Sequence, residues 1–226
     1  MAEQRWEKLG AATGIAFVVL AFASFLIGGE LPKPGDSPQQ VVSFYTDNSD
    51  KVLWSMWLFG IAGVLFLWFL GSLRSHLMKA EGDPGRLSTV VLAGGIAGGA
   101  VYAIGVTVSS ALAFGIAQNA SAELTDVLSD LATHLYNGSA FGFLVLVMAT
   151  TLISGRTKVF PAWLGWFGWL VALLALGSTL TLVVDSGPFA TGEIVSILGF
   201  FGFFLWFLAV AITVTRQVGR DSAVQR

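Results

Sequence analysis

Six stretches of this chain contain no Asp, Glu, Lys or Arg: 9–29, 52–73, 87–122, 131–155, 159–184 and 194–215. A helix rises ~1.5 Å per residue, so ~20 apolar residues cross a hydrocarbon layer ~30 Å thick. Every stretch reaches that length. The third runs past one crossing and ends in the polar run Gln118-Asn119-Ala120-Ser121, so its helix is expected to stop near Ile116. The predicted crossings are 9–29, 52–73, 87–116, 131–155, 161–184 and 194–215. Strands of a membrane β-barrel would be ~10 residues of strict alternation, a pattern the chain lacks. The first stretch has a basic start and an Ala21-Phe22-Ala23 run like a leader cleavage site, but it is long for a leader and reads as a crossing. Composition supports the same class. Charged residues are 12% of the 226, about half of the ~25% in soluble domains, and mean hydropathy is +0.76. Such a chain cannot coat a soluble globule with charge. A soluble enzyme, a disordered protein and a nucleic-acid binder, which needs a basic surface, are excluded. The expected fold is all-α: a polytopic membrane protein, one bundle of six transmembrane helices.

The placement of the charges orients the bundle. Arg5, Lys8, Arg74, Lys79, Arg86, Arg156, Lys158, Arg216, Arg220 and Arg226 fall on one side, and only Lys33 and Lys51 on the other. Lys and Arg accumulate in cytoplasmic loops, so both termini are expected in the cytoplasm and the chain in the cell membrane. Nine of the acids lie on the opposite, outer side: Glu30, Asp36, Asp47, Asp50, Glu123, Asp126, Asp130, Asp185 and Glu193.

The first outer connection carries its own helix signal. In Asp36-Ser37-Pro38-Gln39-Gln40, Ser37 can cap, Pro38 suits the first helical position and Gln40 completes a capping box. Val41, Phe44 and Tyr45 then recur on one face, which predicts a surface helix over 38–48 with that face down. It reads as a packing lid or as a cover over an outward cavity. Residues 121–130 read as a helical extension of the fourth crossing above the membrane.

The third crossing holds Gly94, Gly95, Gly98 and Gly99, two overlapping GxxxG pairs. Small residues let helices approach closely in lipid, so this helix is expected to be the most enclosed of the six. Contacts within the chain are the favoured use, and a homo-oligomer face is the alternative. Trp54 and Trp57 mark the outer interface, and Trp6 and Trp163 the inner one. The Trp163, Trp166 and Trp169 stripe and the phenylalanines of 200–207 read as packing or lipid-facing surface.

Chemistry narrows by elimination. Cysteine is absent, so disulfides, thiolate nucleophiles and cysteine-ligated metals are excluded. His76 and His134 fall at opposite ends of their crossings, which speaks against a bis-histidine haem or a histidine metal cluster. The last crossing has neither the lysine of a retinal protein nor the histidine of a rhomboid-type protease. No crossing holds a central acid of the kind proton-driven carriers use. No cofactor is expected. One constellation remains: Asp126, Asp130 and His134 recur at i, i+4 and i+8 on one helix face, with Asn137 and Tyr136 nearby. An acid beside a histidine raises its pKa, so this is the candidate proton or cation site at the outer mouth. The competing account is solvated acids at a helix start, with His134 and Asn137 bonded to neighbouring helices.

At Pro161-Ala162-Trp163-Leu164-Gly165-Trp166 the chain resembles a group of bacterial, actinobacterial-type multi-spanning membrane proteins of unknown function. The Phe44-Tyr45…Asn48 segment and the Leu73-Arg74 helix end are similar to theirs. The resemblance implies a bacterial cytoplasmic membrane and no catalytic activity. The function expected first is therefore a non-enzymatic accessory or scaffold protein that binds lipid or a membrane partner. A small transporter or channel and a membrane enzyme acting on lipid are the alternatives. The lipid bilayer is the expected partner, with a second membrane protein or another copy of the chain as further candidates.

Overall fold

The computed structural model describes residues 2–184 and 186–224. Asp185 and Arg226 of the charge pattern lie outside them, and so do the side chains of Arg5, Trp6 and Arg220. The described residues form α1 (Ala2–Gly28), α2 (Pro38–Asp47), α3 (Ser49–Glu81), α4 (Arg86–Ala111), α5 (Ala117–Asn119), α6 (Ala122–Gly138), α7 (Ala140–Thr157), α8 (Ala162–Ser178) and α9 (Ile194–Val224), with no strand among them. A π turn, Leu112–Ile116, joins α4 to α5, and a 3-10 turn, Thr179–Leu182, extends α8. Six helical segments are long and apolar enough to span a membrane: Glu7–Gly28, Ser49–Glu81, Arg86–Asn119, Ala122–Thr157, Ala162–Leu182 and Ile194–Gly219. The protein is an all-α polytopic bundle. In a bilayer every backbone N–H and C=O must be satisfied internally, and a helix does this within one segment.

Local signals explain the helix ends. Ser37 and Gln40 form the reciprocal capping box of α2, with Pro38 at its first position. Val41 and Tyr45 are buried, and Phe44 packs against the same small core. Ser121 caps α6, which continues into α7 as one span. At the other end of the bundle, α3 stops at Gly82 (φ +85°), a conformation that side chains resist. The Glu81 carboxylate then accepts hydrogen bonds from the Leu87 and Ser88 N–H groups at 2.8 and 2.9 Å, capping the start of α4. The third crossing does not simply end near Ile116. It loosens there into the π turn and resumes for one short turn to Asn119.

Packed pairs run α1–α3–α4–α7–α8–α9 and back to α1, so the spans form a closed ring. Two kinds of contact hold neighbours together. Between α1 and α3, Ser24 Oγ donates to the Ser55 carbonyl at 2.8 Å and Ser55 Oγ returns the bond to Ser24 at 2.9 Å. Such hydrogen bonds hold helices together where water is absent. Between α4 and α7 the contact is backbone to backbone. A Cβ at Gly94 would lie 2.9 Å from the Gly142 carbonyl oxygen, and one at Gly98 3.0 Å from the Phe143 nitrogen. A Cβ on Gly142 would meet the Gly98 backbone. Gly95 faces Leu70 and Leu146, and Gly99 faces Phe66. All four glycines therefore pack within the chain, on α7 and α3.

The expectation that this helix is the most enclosed is corrected. The apolar window of Arg86–Asn119 is 28% buried, against 44% for Ala122–Thr157 and for Ile194–Gly219. Glycine faces bring backbones close over a narrow strip and leave the other faces uncovered. Ile96 and Ile104 of α4 are exposed.

The ring is filled in its half nearer the termini by Phe69, Leu70, Leu73, Leu77, Ile153, Leu164, Trp206 and Val210 among others. Above them Phe17, Phe66, Phe143, Phe203 and Phe207 close the axis, with ring centroids 4.9–6.0 Å apart. Gly98→Leu should lower stability by roughly 1–3 kcal/mol, the usual cost of overpacking. Gly155→Leu, where a Cβ meets nothing within 4 Å, is the control. Thermal melting in detergent should separate the two, and equal curves would place the Gly98 face in lipid.

Candidate functional site

A cavity of about 470 Å³ occupies the ring on the α2 side of the phenylalanine cluster. Small-molecule sites span ~300–1,000 Å³. Small residues on its walls leave the space: Gly60 and Gly63 on α3, Gly99, Ala100 and Ala103 on α4, Ala140 on α7 and Gly199 on α9. A Cβ on Gly60 or Gly63 would meet nothing within 4 Å. Its floor is Phe17, Phe66, Phe143, Phe203 and Phe204. The cavity reaches the outer surface of the bundle along the α3–α4 seam, where the lining residues Val64, Leu67 and Ile96 stay 57, 53 and 46% exposed. Among the described residues that line it, none is charged and none is histidine.

Its polar atoms gather at the α2 end. Tyr136 Oη and Ser109 Oγ lie 2.8 Å apart, and Ser139 Oγ donates to the Tyr136 carbonyl at 2.6 Å. Asn137 Nδ2 donates to Thr191 Oγ1 at 2.9 Å, tying α6 to the segment before α9. The Tyr102 ring lies between Phe59 and Tyr136, with centroids at 4.8 and 4.7 Å. Tyr45 comes down from α2 onto the same cluster, beside the Ser129 and Ser109 hydroxyls. Burial pushes the Tyr45 phenol above its ordinary value, and those two hydroxyls pull the other way. It therefore stays neutral through the physiological range. The chain has three tyrosines, and all three meet here.

The residues predicted from sequence are only partly brought together. Asp126, Asp130 and His134 are close enough on α6 to act on one another electrostatically. His134, however, is exposed, and its Nδ1 lies 2.9 Å from the backbone carbonyl of Asp130, so that nitrogen carries the proton. The imidazole closes onto its own helical turn rather than onto a carboxylate, and it does not line the cavity. The spacing i, i+4 serves either partner equally, and the carbonyl competes with the carboxylate. Of the four candidate residues, Asn137 alone lines the cavity. No group of three or more His, Cys, Asp or Glu able to hold a metal occurs among the described residues. The tyrosine cluster escaped the sequence reading. Its one signal was scarcity: three tyrosines against 18 phenylalanines, each hydroxyl needing a partner in an apolar setting.

No family model matches the chain, and neither a curated protein nor a solved structure matches it.

At the opposite end, His76 Nε2 donates to Gln217 Oε1 at 2.9 Å and Gln217 Nε2 donates to the Val159 carbonyl at 2.7 Å. With the Lys79–Glu7 ion pair at 2.8 Å, these bonds tie α1, α3, α9 and the α7–α8 connection together. They are structural links, since each polar group meets another of the same bundle. Removing a partnered hydroxyl costs about 1 kcal/mol, whereas an exposed surface change stays within about 0.5 kcal/mol. Tyr136→Phe should therefore lower the melting temperature and His134→Ala should leave it unchanged. A large loss for His134→Ala would mean that the histidine holds a partner across the bundle.

Proposed function

We propose that this chain is a non-enzymatic protein of a bacterial cytoplasmic membrane that holds the apolar chain of a lipid in the cavity between α3 and α4. The cavity carries the reading: it is sized for a small molecule, apolar, uncharged and open toward the surrounding hydrocarbon. An apolar chain entering sideways would never leave an apolar medium, so entry costs no desolvation of charge. A transporter for a solute or cation would need a polar path through the bundle, and the phenylalanine floor supplies none. An enzyme acting on lipid would need a converging acid and base, and the lining residues include no carboxylate, imidazole or amine. The bacterial setting rests on the resemblance at 161–166, and the orientation on the ten-to-two division of Lys and Arg.

Gly63→Phe tests the cavity. A side chain there extends into open space instead of a neighbour, so the fold is kept while the space is filled. Wild type purified in mild detergent should carry lipid adducts in native mass spectrometry, and Gly63→Phe should carry several-fold fewer at an unchanged melting temperature. Equal occupancy in the two proteins would sink the reading. Reporter fusions after Arg86 and after Arg226 should both report the cytoplasm, and a periplasmic signal at either site would overturn the orientation or the number of crossings.

A further inference from the structure

Tyr102 stands apart from the other two tyrosines. Tyr136 is hydrogen-bonded to Ser109, and Tyr45 sits beside Ser129 and Ser109. The Tyr102 ring packs against Phe59 and Tyr136, and among the described residues its hydroxyl makes no hydrogen bond; the side chain is half-buried, so that hydroxyl is open to the cavity rather than sealed in the core. A phenol in hydrocarbon without a partner is costly, and a tyrosine is retained in such a place when something satisfies its O–H. The cavity that Tyr102 lines is where that partner would come from.

Its depth narrows the chemistry. On α3, Trp54 and Trp57 are 64 and 60% exposed, as rings of an interfacial belt are. From Trp54 to Arg74 is a rise of about 30 Å at 1.5 Å per residue, the thickness of the hydrocarbon layer. Phe59, stacked on Tyr102, is five residues inward from Trp54 and two from Trp57, so about 3–8 Å below the belt. A glycerolipid of the α2-side leaflet carries its ester carbonyls at the edge of that layer, so a lipid that sinks a few ångström into the seam brings a carbonyl down to the Tyr102 hydroxyl. An ester carbonyl is an acceptor, and the phenol O–H is a donor. An ionised headgroup has no counter-charge among the lining residues, so it would stay at the surface above while one chain entered along the α3–α4 seam.

The geometry points to Tyr102 as the residue that recognises an ester-linked glycerolipid, its hydroxyl donating to a chain carbonyl while the acyl chain fills the cavity. This inference rests on the lipid reading above and adds the ligand's class and the atom that is read. Ether-linked lipids of the same shape lack the carbonyl and bind through the chain alone.

The test uses two phosphatidylglycerol probes with the same headgroup and chain length, one with ester-linked oleoyl chains and one with ether-linked oleyl chains. Each is titrated into the delipidated full-length protein and read by native mass spectrometry. Wild type should hold the diester roughly 2–10-fold more tightly, the worth of one net hydrogen bond. Tyr102→Phe keeps both ring contacts and should bring the ratio to one by weakening the diester only. Gly63→Phe should weaken both probes alike. A ratio of one in wild type, or a preference that survives Tyr102→Phe, overturns the assignment of Tyr102 while the lipid reading stands. If neither probe binds wild type, both fall together.

Discussion

The close approach of α4 to α7 governs the shape of this bundle. Lipid tails are as apolar as leucine, so helices gain little by merely hiding apolar surface from one another. They gain by dense contact, and Gly94, Gly98 and Gly142 let two backbones touch where any side chain would hold them apart. On its adjacent face α4 meets Phe66 and Leu70 of α3 through Gly99 and Gly95. One helix thereby joins the α1–α3 side of the ring to the α7–α8–α9 side, and Ser24 with Ser55 locks α1 onto α3 in the same water-free setting.

The two halves of the ring then differ in what fills the axis. Toward the termini, leucines, isoleucine, valine and Trp206 complete a solid core. Beyond the phenylalanine cluster glycine and alanine take over much of the wall, and a hollow remains between them and the rings of Phe59, Tyr102 and Tyr136. The same class of small residue thus has two effects. Against a helix it brings backbones together, and without a partner it leaves a hollow. The surface helix α2 caps this hollow end, placing Tyr45 over the Ser109, Ser129 and Tyr136 hydroxyls. The π turn at Leu112–Ile116 lies in the core beneath α2, with Leu112 and Ala113 packed on Val41 and Tyr45. Such turns re-aim a helix locally, here at the level where α4, α6 and α2 converge.

Much of this architecture was legible before any contact was known. The absence of charge over six stretches marked the spans, and Ser37, Pro38 and Gln40 marked the surface helix. Val41 and Tyr45 fell on the face that is buried. The spacing of Asp126, Asp130 and His134 puts them on successive turns of α6, near enough to act on Asp130 electrostatically. It did not reveal which of two nearby acceptors the imidazole takes, because a rotamer decides between the carboxylate and the carbonyl. Glycine spacing announced a close contact but misjudged its extent, since a narrow strip of backbone contact leaves most of α4 uncovered.

Helix number and cap chemistry belong to the sequence alone. Each depends on the transfer of one segment from water to hydrocarbon, or on bonds among residues three or four apart. The order of helices around the ring, the hollow on one side of the phenylalanines and the meeting of Tyr45, Tyr102 and Tyr136 were decided by tertiary structure. Those residues come from three different helices. No periodicity within one helix records where another will cross it, because that crossing is set by how side chains of both interdigitate.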